Sequence, residues 1–331
     1  MDIQKIQEIS IGIDEHLRKL ESFVGVLREV KNSLDVMRDS HSKSYLYELS
    51  KMKKDVADLS EQLRKHGLPQ SSEYEKCLSE IRSIVSSQDW PLAVNPEYIC
   101  DSEEKAQDRA DNILDIVVGE HLRGKKFLDF GCGKGHTIKS ALVREASIAM
   151  GYDLSVTQTN ANFTNDFKVV RESAPYDVIL IHDVLDHIMQ IDPIEALKQV
   201  GSVLANGGRV YIKNHPWSSR HGGHLYLNKN LAFLHLVLDE IELTRVYGVQ
   251  SDHNIKVVTP LETYRYWFEQ AGFVIKSELP TKTTVEPFFT MPSVINERLK
   301  KHWSTDVIQN YMEIDFVEYI VELKTRPQQI F

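Results

Sequence analysis

A short apolar run, Lys126-Phe127-Leu128-Asp129-Phe130, passes without a break into Gly131-Cys132-Gly133-Lys134-Gly135 and then into a helical pattern from Thr137 to Arg144. A strand, a glycine turn and a helix in that order belong to an α/β sheet with parallel strands. Three glycines at the joint let the backbone approach a ligand closely and open the helix amino terminus towards it. The spacing differs from a dinucleotide-binding fingerprint, whose third glycine follows the second by three residues. Here His136 holds that position and the third glycine comes one residue earlier. Asp129 stands two residues before the first glycine, so a carboxylate rather than a bare nest of amides meets the ligand. The expected ligand carries an amine.

From Ser102 onward the alternation continues. Asp101-Ser102 caps a helix running to His121, and a second strand, Ser147 to Tyr152, ends at Asp153. Tyr176-Asp177-Val178-Ile179-Leu180-Ile181 is nearly all apolar, as a strand buried on both faces is. Then come helix Pro193 to Leu204, turn Asn206-Gly207-Gly208, strand Arg209 to Lys213, helix Pro260 to Gln270, turn Ala271-Gly272, strand Phe273 to Ser277 and a last strand near Phe316 to Leu323. This order predicts a doubly wound, mostly parallel sheet.

These residues resemble a family. Leu128 to Gly135 is similar to the first motif of class I S-adenosylmethionine-dependent methyltransferases, and Asp153 matches the ribose-binding acid after their second strand. Tyr176 to Ile179, leading into Asp183-Val184-Leu185-Asp186-His187, resembles their fourth strand and its turn. Leu197 to Tyr211 resembles the following helix, glycine turn and fifth strand, and Glu269 to Phe273 the approach to the sixth. The likeness spans about residues 100–325. It implies the family's seven-stranded Rossmann-like sheet and its methyl donor, S-adenosylmethionine. It also implies that Gly131, Gly133 and Gly135 line the methionine part of the donor, that Asp129 accepts from its ammonium, and that Asp153 takes both ribose hydroxyls. Asp183 joins this donor-binding set. For the adenine two readings stand side by side: Asp166 accepting from its amino group with Phe167 stacked on the ring, or an ordinary turn with Phe167 in the core.

Ligands of doubly wound sheets bind beyond the carboxyl ends of the strands, which brings in the loop after Lys213. Asn214-His215-Pro216-Trp217-Ser218-Ser219-Arg220-His221-Gly222-Gly223-His224-Leu225-Tyr226 holds three histidines and an arginine. Methyl transfer to a hydroxyl needs in-line positioning and a base near neutral pH, which histidine supplies. His215, kept extended by Pro216, is the first candidate base and His221 the second. The opposing reading makes them surface histidines of a glycine-hinged loop. A divalent metal on His215, His221 and His224 is less favoured, because their spacing fits no standard zinc pattern. Insertions at 214–260, helical over Leu231 to Leu243, and at 280–310, with Phe288-Phe289-Thr290-Met291-Pro292 and Trp303, are expected to build the acceptor pocket. Their aromatic content points to an apolar or ring-bearing acceptor, with core packing as the alternative.

Ahead of the catalytic-type domain (102–331) lie a rod (1–66) and a connector (67–101). In the rod, Ile6, Ile9, Ile13, Leu20, Phe23, Leu27, Val30, Leu34 and Met37 follow a heptad seam that resumes out of phase at Tyr45 and runs to Leu63. This predicts a coiled-coil oligomerisation segment, as one long helix or a hairpin. The connector carries one amphipathic helix, Tyr74 to Val85. A net charge of -9 gives no overall attraction to nucleic acid or anionic lipid, and the three cysteines make no disulfide framework. A cytoplasmic protein is expected, whose partners are a second copy of itself and a small-molecule or glycan acceptor bearing a hydroxyl or amine. Nucleic acid and membrane are not expected partners. The rival reading is an oligomeric scaffold whose methyltransferase-like domain binds cofactor without turnover.

Overall fold

The computed structural model describes residues 72–87, 90–119, 122–157, 159–185, 187–188, 191–251, 257, 259–282, 292–302 and 311–324. All belong to the second of two units into which the chain divides, Ser71–Phe331. The rod predicted over 1–66 lies outside the described residues.

The helices are α1 (Ser72–Val85), α2 (Glu103–Ile113), α3 (His136–Val143), α4 (Phe167–Glu172), α5 (Pro193–Val203), α6 (Leu234–Val237), α7 (Glu240–Tyr247), α8 (Pro260–Gln270) and α9 (Ser293–His302). The strands are β1 (Lys126–Phe130), β2 (Ile148–Tyr152), β3 (Phe163–Thr164), β4 (Tyr176–His182), β5 (Leu204–Asn214), β6 (Phe273–Lys282) and β7 (Ile314–Leu323). Local chemistry starts and stops them. The Ser102 hydroxyl accepts from the Lys105 N–H at 3.2 Å to open α2, which widens into a π turn, Leu114–Val118, and ends at left-handed Gly119. Asp192 accepts from the Ile194 N–H at 2.8 Å and Pro193 fills the first turn of α5.

The seven strands form one sheet in the order β3-β2-β1-β4-β5-β7-β6. β3, β2, β1, β4 and β5 pair in parallel, while β7 runs antiparallel between β5 and β6. This is the class I methyltransferase sheet that the resemblance implies. Side chains alternate across it as the pleat requires. Leu128, Phe130, Ile179, Ile181, Val210 and Ile212 face one core with α4, α5 and α8, while Phe127, Val178, Leu180 and Tyr211 face the other with α3 and the π turn. With both faces covered, the parallel strands carry their continuous apolar runs at no cost in exposed surface.

A third apolar cluster departs from expectation. Leu78, Ile81 and Val85 of α1 and the connector's Trp90 pack with Trp217, Phe233, Leu234, Val237 and Leu243 of the first insertion and with Ile295 and Leu299 of α9. The Trp90 indole donates to the Ala232 carbonyl at 3.0 Å, and the Asn230 amide accepts from the Val94 N–H and donates to the Val94 carbonyl. The described part of the connector is therefore a wall of the domain. The single helix expected over Leu231 to Leu243 is two, because Asp239 and Glu242 form a capping box that restarts the chain as α7.

Candidate active site

The carboxyl ends of β1, β2, β4 and β5 bring the singled-out residues to one rim. At the glycine turn, the N–H groups of Gly131 and Cys132 donate to the Tyr152 carbonyl at 2.7 and 3.2 Å, tying the turn to β2. Gly131 has φ +90°, and a Cβ there would stand 2.2 Å from Cγ2 of Val184, so both conformation and space demand glycine. At Gly133 a Cβ would meet nothing within 4 Å, leaving this backbone open to a ligand. Gly135, left-handed as well, opens α3.

Asp129 is buried, with the Thr137 hydroxyl donating to its Oδ2. Burial pushes its carboxyl up to about 7, with the nearby charge of Asp153 adding and the Thr137 bond opposing. Asp153 accepts from the Gly133 N–H at 2.8 Å through Oδ2 and from Ser155 N–H and hydroxyl at 2.8 and 2.6 Å through Oδ1. It clamps the turn, and of its roughly four acceptor sites the one left open is on Oδ2.

Asp166 and Phe167 sit apart from this. Asp166 caps α4 by accepting from the Lys168 N–H at 2.9 Å, and Phe167 packs edge-on against Tyr152 and Phe130 at 5.3 and 6.4 Å. Asp166 is exposed and Phe167 half-buried, and neither lines the cavity described next, nor do Gly133, Gly135 and Asp153.

A cavity of about 660 Å³, within the usual ~300–1,000 Å³ of small-molecule sites, opens over the turn. One half is lined by Asp129, Gly131, Cys132, His136, Thr137 and Ser155, the other by Arg109, His182, Asp183, His187, His224 and Tyr226. Cys100, Ala106, Ala110 and Ile113 complete it. The insertions contribute only His224 and Tyr226 among the described residues. Trp217 and Phe233 of the first insertion are core, while Phe288, Phe289 and Trp303 of the second lie outside the described residues. The cavity lining mixes charged and imidazole groups with apolar side chains.

Asp183 anchors the far half. Its backbone is left-handed at φ +53°, and its carboxylate accepts the His215 N–H at 3.1 Å, with His215 Nδ1 at 3.2 Å, His182 Nδ1 at 3.4 Å and an Arg109 guanidinium nitrogen at 3.5 Å. Burial opposes ionisation of Asp183, but its pairing with the surrounding imidazoles, His215 first, and with the Arg109 guanidinium outweighs this and holds the carboxyl well below the usual carboxylate range. His215 and His221 are buried behind the cavity wall, their rings 4.1 Å apart and both against Phe316. Burial drives the His215 imidazole well below its ordinary value and, helped by Arg220, the His221 imidazole down to about 3. The loop that carries them is packed rather than hinged. It coils through bonds from Ser219 N–H to the Pro216 carbonyl and from Gly222 N–H to the Ser219 carbonyl, and Arg220 pairs with Asp315 at 3.0 Å. Among the described residues no group of three or more His, Cys, Asp or Glu side chains converges as a metal site.

The profile of the family described as "Methyltransferase domain" matches residues 102–278, more than half of the chain. The chain belongs to this methyltransferase family. Solved structures similar to it include an S-adenosylmethionine-dependent methyltransferase from Mesorhizobium loti, at 16% identity over 65% of this chain and 99% of that one with a TM-score of 0.37. Another is an S-adenosylmethionine-dependent methyltransferase from Clostridium acetobutylicum, at 14% identity over 68% of this chain and 94% of that one with a TM-score of 0.39. No curated protein matches the sequence. The family assignment rests on the sequence match.

Methyltransferases of this kind take their methyl from S-adenosylmethionine, and the residues present fit that donor. A buried carboxylate raised to about 7, whose described hydrogen bond comes from a neutral hydroxyl, is complementary to an ammonium. Gly133 offers open backbone beside it. The methyltransferase site also contains residues that sequence reasoning passed over. Arg109 and His182 gave no local signal, and His224 was considered only as a metal ligand; each reaches the cavity through tertiary folding. No described helix is long and apolar enough to cross a membrane.

Proposed function

We propose that this methyltransferase transfers a methyl group from S-adenosylmethionine to a hydroxyl or amine of a small polar molecule or glycan. One observation carries the reading: the buried carboxylate Asp129 and the histidine-lined wall around Asp183 face a single cavity. Asp129 would hold the donor's ammonium, Arg109 its carboxylate, and the turn backbone at Gly131 and Gly133 its methionine chain, with Asp153 on the ribose side. The donor supplies an electrophilic methyl on sulfur. The protein's share is to exclude water, align the acceptor in line with that methyl and accept a proton. The histidines, Asp183 and Arg109 of the far half offer hydrogen-bonding partners to an acceptor hydroxyl or amine.

The test is to incubate the full-length protein with S-adenosylmethionine and deproteinised cell extract and search by mass spectrometry for a compound that gains one methyl group. A product methylated on oxygen or nitrogen is expected. A product methylated on carbon, or donor binding with no product over a broad acceptor screen, contradicts the reading and favours the scaffold.

The heptad seam of residues 1–66 supports self-association as a further part of the proposal. Light scattering should give an oligomer for the full chain and a smaller subunit number for a form beginning at Ser71.

A further inference from the structure

We infer that His224 is the residue that takes the acceptor's proton, with Asp183 and His215 as positioning residues that fix its surroundings and offset the charge it gains. The inference rests on the methyl-transfer reading above. Three histidines line the cavity, His182, His187 and His224, and they are not equivalent. His182 ends β4, where burial outweighs the pull of Asp183, and Arg109 and Lys213 oppose a second positive charge. His187 lies tilted against His224, ring centres 4.6 Å apart. His224 combines a place on the cavity with an edge-on contact to His215, centres 5.6 Å apart at 86°, and with charge coupling to Asp183, on which it acts together with His215, His182 and Arg109.

The backbone agrees. His224 is left-handed at φ +51°, an uncommon conformation for a residue with a side chain that His, Asn and Asp adopt more readily than most, and Asp183 on the same wall is left-handed too. The chain leading to His224 has no slack. A Cβ on Gly222 would stand 2.4 Å from the Trp217 carbonyl oxygen, one on Gly223 would stand 2.5 Å from Cβ of His235, and the His224 N–H donates to the His221 carbonyl at 2.9 Å. An imidazole held this way has a fixed direction of approach.

In the reaction the acceptor oxygen bonds to the methyl carbon as the sulfur–carbon bond breaks and its electron pair returns to sulfur. The acceptor's proton passes to a ring nitrogen of His224 and from there to water. The products are the methyl ether and the demethylated thioether. The groups that face His224 are His187, His215, Tyr226, His221 and Asp183, with His182 and Arg109 on the other side of the Asp183 carboxylate. Asp183 is the carboxylate among them, so it favours the imidazolium.

The test uses the full-length protein as wild type, His224→Asn and Asp183→Asn, since Asn tolerates the left-handed backbone at both positions. Transfer of labelled methyl from S-adenosylmethionine into deproteinised cell extract is followed across the imidazole range of pH. His224→Asn is expected to lower the rate ~10²–10⁴-fold while donor affinity, read by calorimetry, stays at the wild-type value. Asp183→Asn is expected to move the acid limb of the profile to lower pH by roughly one unit, a tenfold change in proton affinity. A merely structural Asp183 would lower the rate at every pH and leave the limb in place. Nitrogen NMR of the histidine rings supplies a readout independent of turnover: the signal lost in His224→Asn should titrate about one unit lower in Asp183→Asn. Equal rates in wild type and His224→Asn, or an unmoved titration, overturn the inference. Wild type that transfers no label overturns the methyl-transfer reading instead.

Discussion

Asp183 and His215 meet at the ends of neighbouring strands: the Asp183 carboxylate accepts the His215 backbone N–H at 3.1 Å and lies 3.2 Å from its Nδ1. The parallel register of β4 with β5, His182 opposite Lys213, brings Asp183, one residue further on, next to His215, two residues further on. The pair lies in a cluster whose titration decides how the protein meets acid. Asp183 is held below its ordinary value, so its contribution is present above the unfolded carboxylate pKa of ~3.9 and lost as pH falls. His215 and His221 are buried neutral, so their share is complete above the unfolded imidazole value of ~6.5 and lost as pH falls towards about 3 for His221. Both signs agree. Asp129, raised to about 7, works the other way and adds stability as pH falls through that value, so the check is the difference between wild type and His221→Gln: denaturant midpoints of the variant should lose less than those of wild type between neutral pH and the carboxylate range.

Donor affinity should depend on pH through Asp129. An ammonium binds the ionised carboxylate, and in the free protein burial keeps that carboxyl near 7. Below that value binding must first remove a proton, so affinity drops by up to about tenfold per unit of acidification and levels off above it. Asp129→Asn should be weak at every pH and nearly flat. Calorimetry of S-adenosylmethionine across neutral pH checks both curves.

The connector helix is held by a buried charged group. The Arg298 guanidinium donates to Glu242, to which the Tyr74 hydroxyl also donates at 2.7 Å, joining α9, α7 and α1. Removing Arg298 strands a buried carboxylate, so Arg298→Ala should cost ~3–5 kcal/mol in chemical denaturation. Replacing both partners, Arg298→Met with Glu242→Gln, should cost clearly less, because no unpaired charge remains.

Gly131→Ala should damage both stability and donor binding. The added methyl meets Val184 in a backbone at φ +90°. Overpacking of this kind costs ~1–3 kcal/mol. Adding Val184→Ala should restore only part of the loss, since it frees space and leaves the backbone strained. Thermal unfolding of the two variants distinguishes these contributions.

What was legible in the sequence is local. The strand Lys126–Phe130, its glycine turn and the apolar β4 declare themselves because composition within a few residues fixes each, and the order of such units fixes the sheet. Phe167 is ambiguous because an aromatic side chain after a turn suits a ring stack and a core equally, and its edge contacts with Tyr152 and Phe130, made half-buried, are compatible with either. His215 was identified from its distance past β5. What lies between it and the cavity depends on how residues 216–226 coil, which no local pattern encodes. Arg109 is one charge among many on α2 until that helix is laid over the turn. The amphipathic face of α1 was visible; its partners, Trp217 and Phe233, lie more than a hundred residues away.

The central claim is that a methyl donor is held by Asp129, the glycine turn and Asp153, and calorimetry of S-adenosylmethionine with the full-length protein above neutral pH tests it most directly. Saturable one-site binding is expected for the wild type. A hydrogen bond to a charged group is worth ~1.5–3 kcal/mol, so Asp129→Asn should bind roughly ten- to a hundredfold more weakly, with Asp153→Ala also weakened. No binding by the wild type, or equal affinity in all three proteins, would contradict the account.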